Sequence, residues 1–135
     1  MNIGKIHHIG YLVKNINKSV EAFKILGYEI VADIYDMERK ADLCVMKRDY
    51  TQVELVQPSS ESDIYPLLKK YNNTIYHICY EVDDIDSAVE ELKKSGFLLF
   101  RGRQKAPALS ESSEVVFLMH SHMGIIELVQ EAKTK

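Results

Sequence analysis

The sequence predicts an α+β fold: two βαβββ modules forming one curved, eight-stranded mixed sheet with helices outside. The chain repeats itself, which is the first observation behind this. Sliding it along itself by 69 positions (77 − 8) lays residues 8–31 on residues 77–100 without a gap, and His, Ile, Tyr, Val, Ile, Val, Glu, Lys and Gly coincide. Further on, VELVQ at 53–57 matches IELVQ at 126–130 at an offset of 73 (127 − 54), so the second copy carries four extra residues in a loop. The second observation is the apolar period, which runs strand, helix, strand, strand, strand in each copy. The third is size: half of a 135-residue chain cannot bury a helix and a sheet face alone, and two halves side by side can. The domain organisation is therefore a single domain over 1–135, built of repeats at about 5–57 and 75–131 joined by a linker at 58–74.

Taken in order, residues 8–13 read as a strand rich in β-branched and aromatic residues. His8, Gly10 and Leu12 share one face, and Ile9, Tyr11 and Val13 the other. A helix follows over 17–26, capped by Asn15 or Asn17. Ile16, Val20, Phe23 and Leu26 form its apolar stripe, and Gly27 takes the left-handed position after it. Strands are expected at 28–34, 43–47 and 52–57, with residues 48–51 as the hairpin turn between the last two. The linker segment 62–71, SDIYPLLKKY, reads as a short helix with Pro66 in its first turn. In the second copy a strand spans 77–82. Asp84 or Asp86 caps a helix ending at Lys94, with Ile85, Val89 and Leu92 as its stripe and Gly96 after it. Strands follow at 97–100, 115–119 and 125–130. The C-terminal EAKTK is expected to fray.

Net charge is −3, with 46% hydrophobic and 27% charged residues. This balance argues against nucleic acid and membrane surfaces as partners. With no spanning apolar run and no signal-peptide core, a cytoplasmic protein is the default. Cys44 and Cys79 lack metal-site spacing and read as two buried, unbridged thiols.

Each copy opens with a His and closes with a Glu. Glu54 lies between Val53 and Leu55, and Glu127 between Ile126 and Leu128, so both carboxylates oppose their apolar neighbours across the strand. A carboxylate inside a β-branched run is costly to bury unpaired. Its recurrence at matching places, each time with a histidine, points to a metal: His8, Glu54, His77 and Glu127 as the ligands of one divalent ion. Two imidazoles and two carboxylates suit nickel, cobalt, zinc or manganese. Without thiolates a closed structural zinc site is disfavoured, and four protein ligands on an octahedral ion leave two positions open for a Lewis-acid role. His7 points to the opposite face from His8, and His120 and His122 read as loop residues beside the pocket mouth. Arg39, Lys40, Arg101, Arg103 and Lys105 read as surface charge, able as a rim to attract an anionic substrate.

The pattern HHIGYLVKNI…VELVQP…YHICYEVDDIDSAVEELKKSGF…VVFLMHSHMGIIEL resembles the vicinal-oxygen-chelate superfamily, the glyoxalase, bleomycin-resistance and dioxygenase group, over about residues 6–130. Within it the chain is similar to methylmalonyl-CoA epimerases and to glyoxalase I. The resemblance implies the glyoxalase-like paired-module fold and metal positions at His8, Glu54, His77 and Glu127. Epimerases of this family commonly carry Gln at the position of Glu54, where bacterial glyoxalase I carries Glu. The implied chemistry is proton abstraction beside a metal-bound carbonyl, with a small-molecule thioester or hemithioacetal as substrate. Glu127 is implied as a base as well as a ligand, and Glu38, 16 residues before Glu54, as the second base. The lead expectation is an epimerase-like isomerase; the alternative is glyoxalase I, a lyase. A metal-free antibiotic-binding protein fits less well because all four ligands are kept, and an extradiol dioxygenase because Glu54 would crowd its site. Related proteins imply a homodimer.

Overall fold

The structure, a computed structural model, describes residues 3–131. The chain divides into two compact units, His8–Tyr76 and, for the other, Met1–His7 with His77–Lys135. Of the tail expected to fray, residues 132–135 lie outside the described residues.

The unit His8–Tyr76 carries the first repeat. Strand β1, Ile3–Leu12, leads to helix α1, Ile16–Ile25, and then to β2, Glu29–Asp36, β3, Ala41–Arg48, and β4, Thr51–Pro58. β1 and β4 run parallel, while β2–β3 and β3–β4 are antiparallel. Asn15 is the residue that caps α1: its side chain accepts from the Lys18 N–H at 3.2 Å. Gly27, at φ 92°, ends the helix as expected. Ile16, Val20 and Phe23 pack on Val13, Cys44, Met46, Val53 and Leu55. Leu26 leaves the stripe and is 59% exposed, because the helix stops one residue before it. The hairpin turn is only Asp49 and Tyr50, with Asp49 at φ 50°, so Arg48 and Thr51 remain paired. The linker forms no continuous helix. A 3-10 turn at Tyr65–Leu67, with Pro66 at its start, gives way to a single turn of α-helix, α2, Leu68–Tyr71.

The other unit repeats the pattern. β5, Thr74–Val82, is followed by α3, Ile85–Lys94, β6, Leu98–Lys105, β7, Glu114–His120, and β8, Gly124–Gln130. β5 and β8 are parallel; β6–β7 and β7–β8 are antiparallel. Asp84 caps α3 through the Ser87 N–H and hydroxyl. Ile85, Ala88 and Leu92 bury against Val116, Leu118, Ile126 and Leu128, with Val89 beside them. β6 outruns its expected end at Phe100 because two register shifts let the charged stretch 101–105 keep pairing with β7. Residues 3–7 of β1 belong to this unit, with Gly4 against the Glu81 carbonyl: a Cβ there would stand 3.0 Å from that oxygen. Hydrogen bonding orders the mixed eight-stranded sheet as β2-β3-β4-β1-β5-β8-β7-β6. Among the described residues, no helix is long and apolar enough to cross a membrane.

Candidate metal centre

In each unit the helix covers one sheet face, and the His/Glu pair emerges on the other. Along β1, burial alternates: His8, Gly10 and Leu12 are buried, while Ile9 and Tyr11 turn toward α1. On β4 the same period sends Val53 and Leu55 to the helix and Glu54 away from it. The parallel register sets Glu54 beside Gly10, with Val45 on its other flank. His8 Nε2 stands 3.7 Å from Glu54 Oε1, with both side chains fully buried.

The other unit builds the same pair. On β5, His77 and Cys79 share the face away from α3, and on β8 Glu127 lies opposite Ile126 and Leu128. Glu127 registers with Cys79 and Phe117, so a small buried thiol takes the place that Gly10 holds in the first copy. His77 Nε2 is 3.0 Å from Glu127 Oε1, both again fully buried. Phe117 meets the His77 ring edge-on, with centroids 5.3 Å apart and planes at 89°, which fixes the ring's tilt.

The second candidate base takes a different place. Glu38 is exposed, in the turn between β2 and β3. Asp36, buried at the end of β2, accepts the backbone N–H of Glu38 at 2.9 Å and of Arg39 at 3.1 Å, which closes the turn. Arg39 departs from the surface reading: its side chain is 1% exposed. The guanidinium Nε lies 3.6 Å from Asp36 Oδ2, and Nη1 donates to Glu54 Oε1 at 3.4 Å. Nothing in the run MERK marks its arginine for burial. The signal was Asp36 three residues earlier, able both to bind the turn amides and to neutralise a cation there.

Two further residues escaped the sequence reading. Gln57 and Gln130 close the matching VELVQ and IELVQ segments. Gln57 Oε1 accepts the Ile16 N–H at 2.7 Å, and Gln130 Oε1 accepts the Ile85 N–H, also at 2.7 Å. Each ties the strand that carries a buried glutamate to the first amide of its unit's helix, a group that has no partner within the helix. The repeated Gln was the available signal.

The basic residues beyond Arg39 split. Arg103 is engaged with Asp86 at 3.2 Å and Glu114 at 3.0 Å, and Lys105 lies 3.9 Å from Glu114. The Arg103 hydrogen bond holds the Glu114 carboxyl below its usual range. Arg101 donates to Gln104, and Lys40 is exposed at φ 54°. His7 approaches Glu131 at 3.9 Å. His120, the last residue of β7, packs at a tilt against Phe97, and its Nδ1 accepts the His122 N–H in the turn that follows. Cys44 and Cys79 are buried and form no disulfide with each other, as expected.

The family model described as the glyoxalase/bleomycin resistance protein/dioxygenase superfamily matches residues 7–117. Among curated proteins, the mitochondrial methylmalonyl-CoA epimerase of Bos taurus is 30% identical over 96% of this chain and 75% of its own length. The ethylmalonyl-CoA/methylmalonyl-CoA epimerase of Cereibacter sphaeroides is 27% identical over 87% of this chain and 89% of its own length. Among solved structures, a Streptomyces coelicolor methylmalonyl-CoA epimerase variant in complex with 2-nitronate-propionyl-CoA superposes with a TM-score of 0.83. It is 20% identical, and 98% of each chain is covered, a likeness of fold.

Proposed function

Because the chain belongs to the glyoxalase/bleomycin resistance protein/dioxygenase superfamily, we propose that it is a metal-dependent epimerase acting on a CoA thioester of the methylmalonyl type. The observation that carries the reading is the buried His/Glu pair formed at equivalent register in both repeats. Neither pair belongs to an apolar core by ordinary packing. We take His8, Glu54, His77 and Glu127 together as the donor set of one metal ion. Their chemistry fits a borderline divalent cation (nickel, cobalt, zinc or manganese), whose two positive charges offset the two carboxylates. When bound, the ion supplies Lewis acidity toward a carbonyl oxygen.

The chain's own residues do the rest. The imidazoles serve as Nε2 donors, with Phe117 edge-on to the His77 ring. Glu127 holds its place as a ligand and carries the proton on one face of the substrate's α-carbon. Glu38, exposed in its turn, is the proposed carrier on the other. Inversion needs two bases on opposite faces, and a buried and a solvated carboxylate can supply them. The epimerase names of the curated relatives support this substrate class over a hemithioacetal. A homodimer in the cytoplasm completes the proposal.

The test is solvent exchange. Purified protein loaded with cobalt, in deuterium oxide, is offered methylmalonyl-CoA. Deuterium at the α-carbon together with interconversion of the two epimers is expected. Its absence, with lactoylglutathione formed from glutathione and methylglyoxal instead, would assign the protein to glyoxalase I.

A further inference from the structure

Resting on the assignment of Glu54 as a ligand, we propose that Arg39 is a positioning residue. Its guanidinium fixes the Glu54 carboxylate and ties it to the turn that holds Glu38. An arginine is rarely enclosed to 1% exposure, and it is enclosed here between two buried carboxylates. Both contacts have a direction. Asp36 spends Oδ1 on the turn amides of Glu38 and Arg39 and turns Oδ2 to the Arg39 Nε, while Nη1 reaches across to β4. The oxygen that Arg39 meets, Glu54 Oε1, is also the one nearest His8 Nε2. The planar guanidinium therefore sets which edge of the carboxylate faces the histidine, something a point charge on a flexible stem does poorly.

A chain of contacts follows: Glu54 to Arg39, Arg39 to Asp36, Asp36 to the backbone N–H of Glu38. Glu38 is the residue next to Arg39, so the candidate base is fixed through its backbone while its side chain stays in solvent. Whatever holds the Glu54 carboxylate then also steadies the turn.

The test compares wild type, Arg39→Met, Arg39→Lys and Glu54→Gln. The first readout needs no metal and no substrate: amide hydrogen exchange at Glu38 and Arg39 in the metal-free protein. Arg39→Met is expected to speed exchange there at least tenfold, Glu54→Gln by less, with the amides of α1 unchanged. Unaltered exchange in both variants overturns the proposal. The second readout is cobalt(II) titration followed by the visible absorption of the bound ion. Arg39→Met is expected to weaken binding about tenfold and shift the band, and Arg39→Lys to recover only part of it, whereas full recovery by Lys would overturn the positioning role. Should Arg39→Met not fold, Arg39→Lys against Glu54→Gln gives the same exchange comparison. If wild type takes up no cobalt, the ligand assignment falls, and the exchange readout still decides whether Arg39 ties Glu54 to the turn.

Discussion

His77 Nε2 stands 3.0 Å from Glu127 Oε1 with both side chains sealed from solvent. Two such groups gain from a shared cation, since a buried carboxylate is expensive without a positive partner. Removal of the ion is therefore expected to destabilise the protein. At an ion concentration 100-fold above its dissociation constant the loss is about 2.7 kcal/mol, or roughly 10 °C in melting temperature. Calorimetry with and without chelator measures it. Elemental analysis of His77→Ala should show the ion absent, and of wild type one equivalent per chain. Two equivalents would mean that each His/Glu pair works alone.

Glu54→Gln keeps the volume, and it keeps an oxygen to accept from Arg39, while removing one negative charge from the site. Weaker but measurable metal binding and epimerase activity within about tenfold of wild type are expected, because an amide oxygen still suits a hard or borderline cation. Metal analysis and turnover on the same preparation decide it. Loss of both would count against the epimerase reading.

Gln57→Ala and Gln130→Ala each strip an acceptor from the first amide of a helix. Each should cost about 1 kcal/mol in urea unfolding. The two sites share no hydrogen-bond partner, so the double variant should lose the sum to within about 0.5 kcal/mol.

The two helix caps should respond differently to pH. Asn15→Ala is expected to cost about 1 kcal/mol at any pH, its amide having no proton to gain. Asp84 is ionisable, and its carboxyl is held below the ordinary value of 3.8, first by the Ser87 hydroxyl and then by the Ser87 N–H. A depressed folded-state value means a contribution fully present above pH 3.8 and lost as the pH falls through that lower value. The stability difference between wild type and Asp84→Ala should thus shrink in acid, while that for Asn15→Ala stays flat. Denaturant melts at pH 3 and pH 7 make the comparison.

Burial and the neighbouring Asp33 push the Cys44 thiol up to about 11. Little thiolate exists at pH 8, and reagents reach it poorly. Labelling of Cys44 by an aromatic disulfide should therefore proceed only at the rate of unfolding, and rapid labelling in buffer would contradict the packing of α1 on β3.

Much of this was legible in the chain, for a physical reason. Glu54 and Glu127 sit in runs whose alternation leaves them one orientation, and the duplicated spacing turns two odd residues into a pattern. Asn15, Asp84, Gly27 and Gly96 likewise declare helix ends through chemistry that acts within a few residues. What escaped depends on contacts distant in sequence or on local choices of nearly equal energy. Arg39 reaches Glu54 across 15 positions. Gln57 reaches Ile16 across 41. The segment 62–71 had helical spacing, yet it split into a 3-10 turn and a four-residue helix, each too short to be held by propensity. Leu26 had the right period and lay one residue beyond the end of the element.

His7 and His8 are consecutive residues assigned to different compact units. A fragment beginning at residue 77 would thus lack the five described residues, 3–7, that complete it, and a fragment ending at residue 76 would begin with a segment foreign to it. Scission in the linker would separate residues 3–7 from the rest of their unit. A circular permutant opened between residues 58 and 74 would keep every strand with its mates, and comparing its refolding with that of the two mixed fragments would show how far this trade of one short segment has made the halves inseparable.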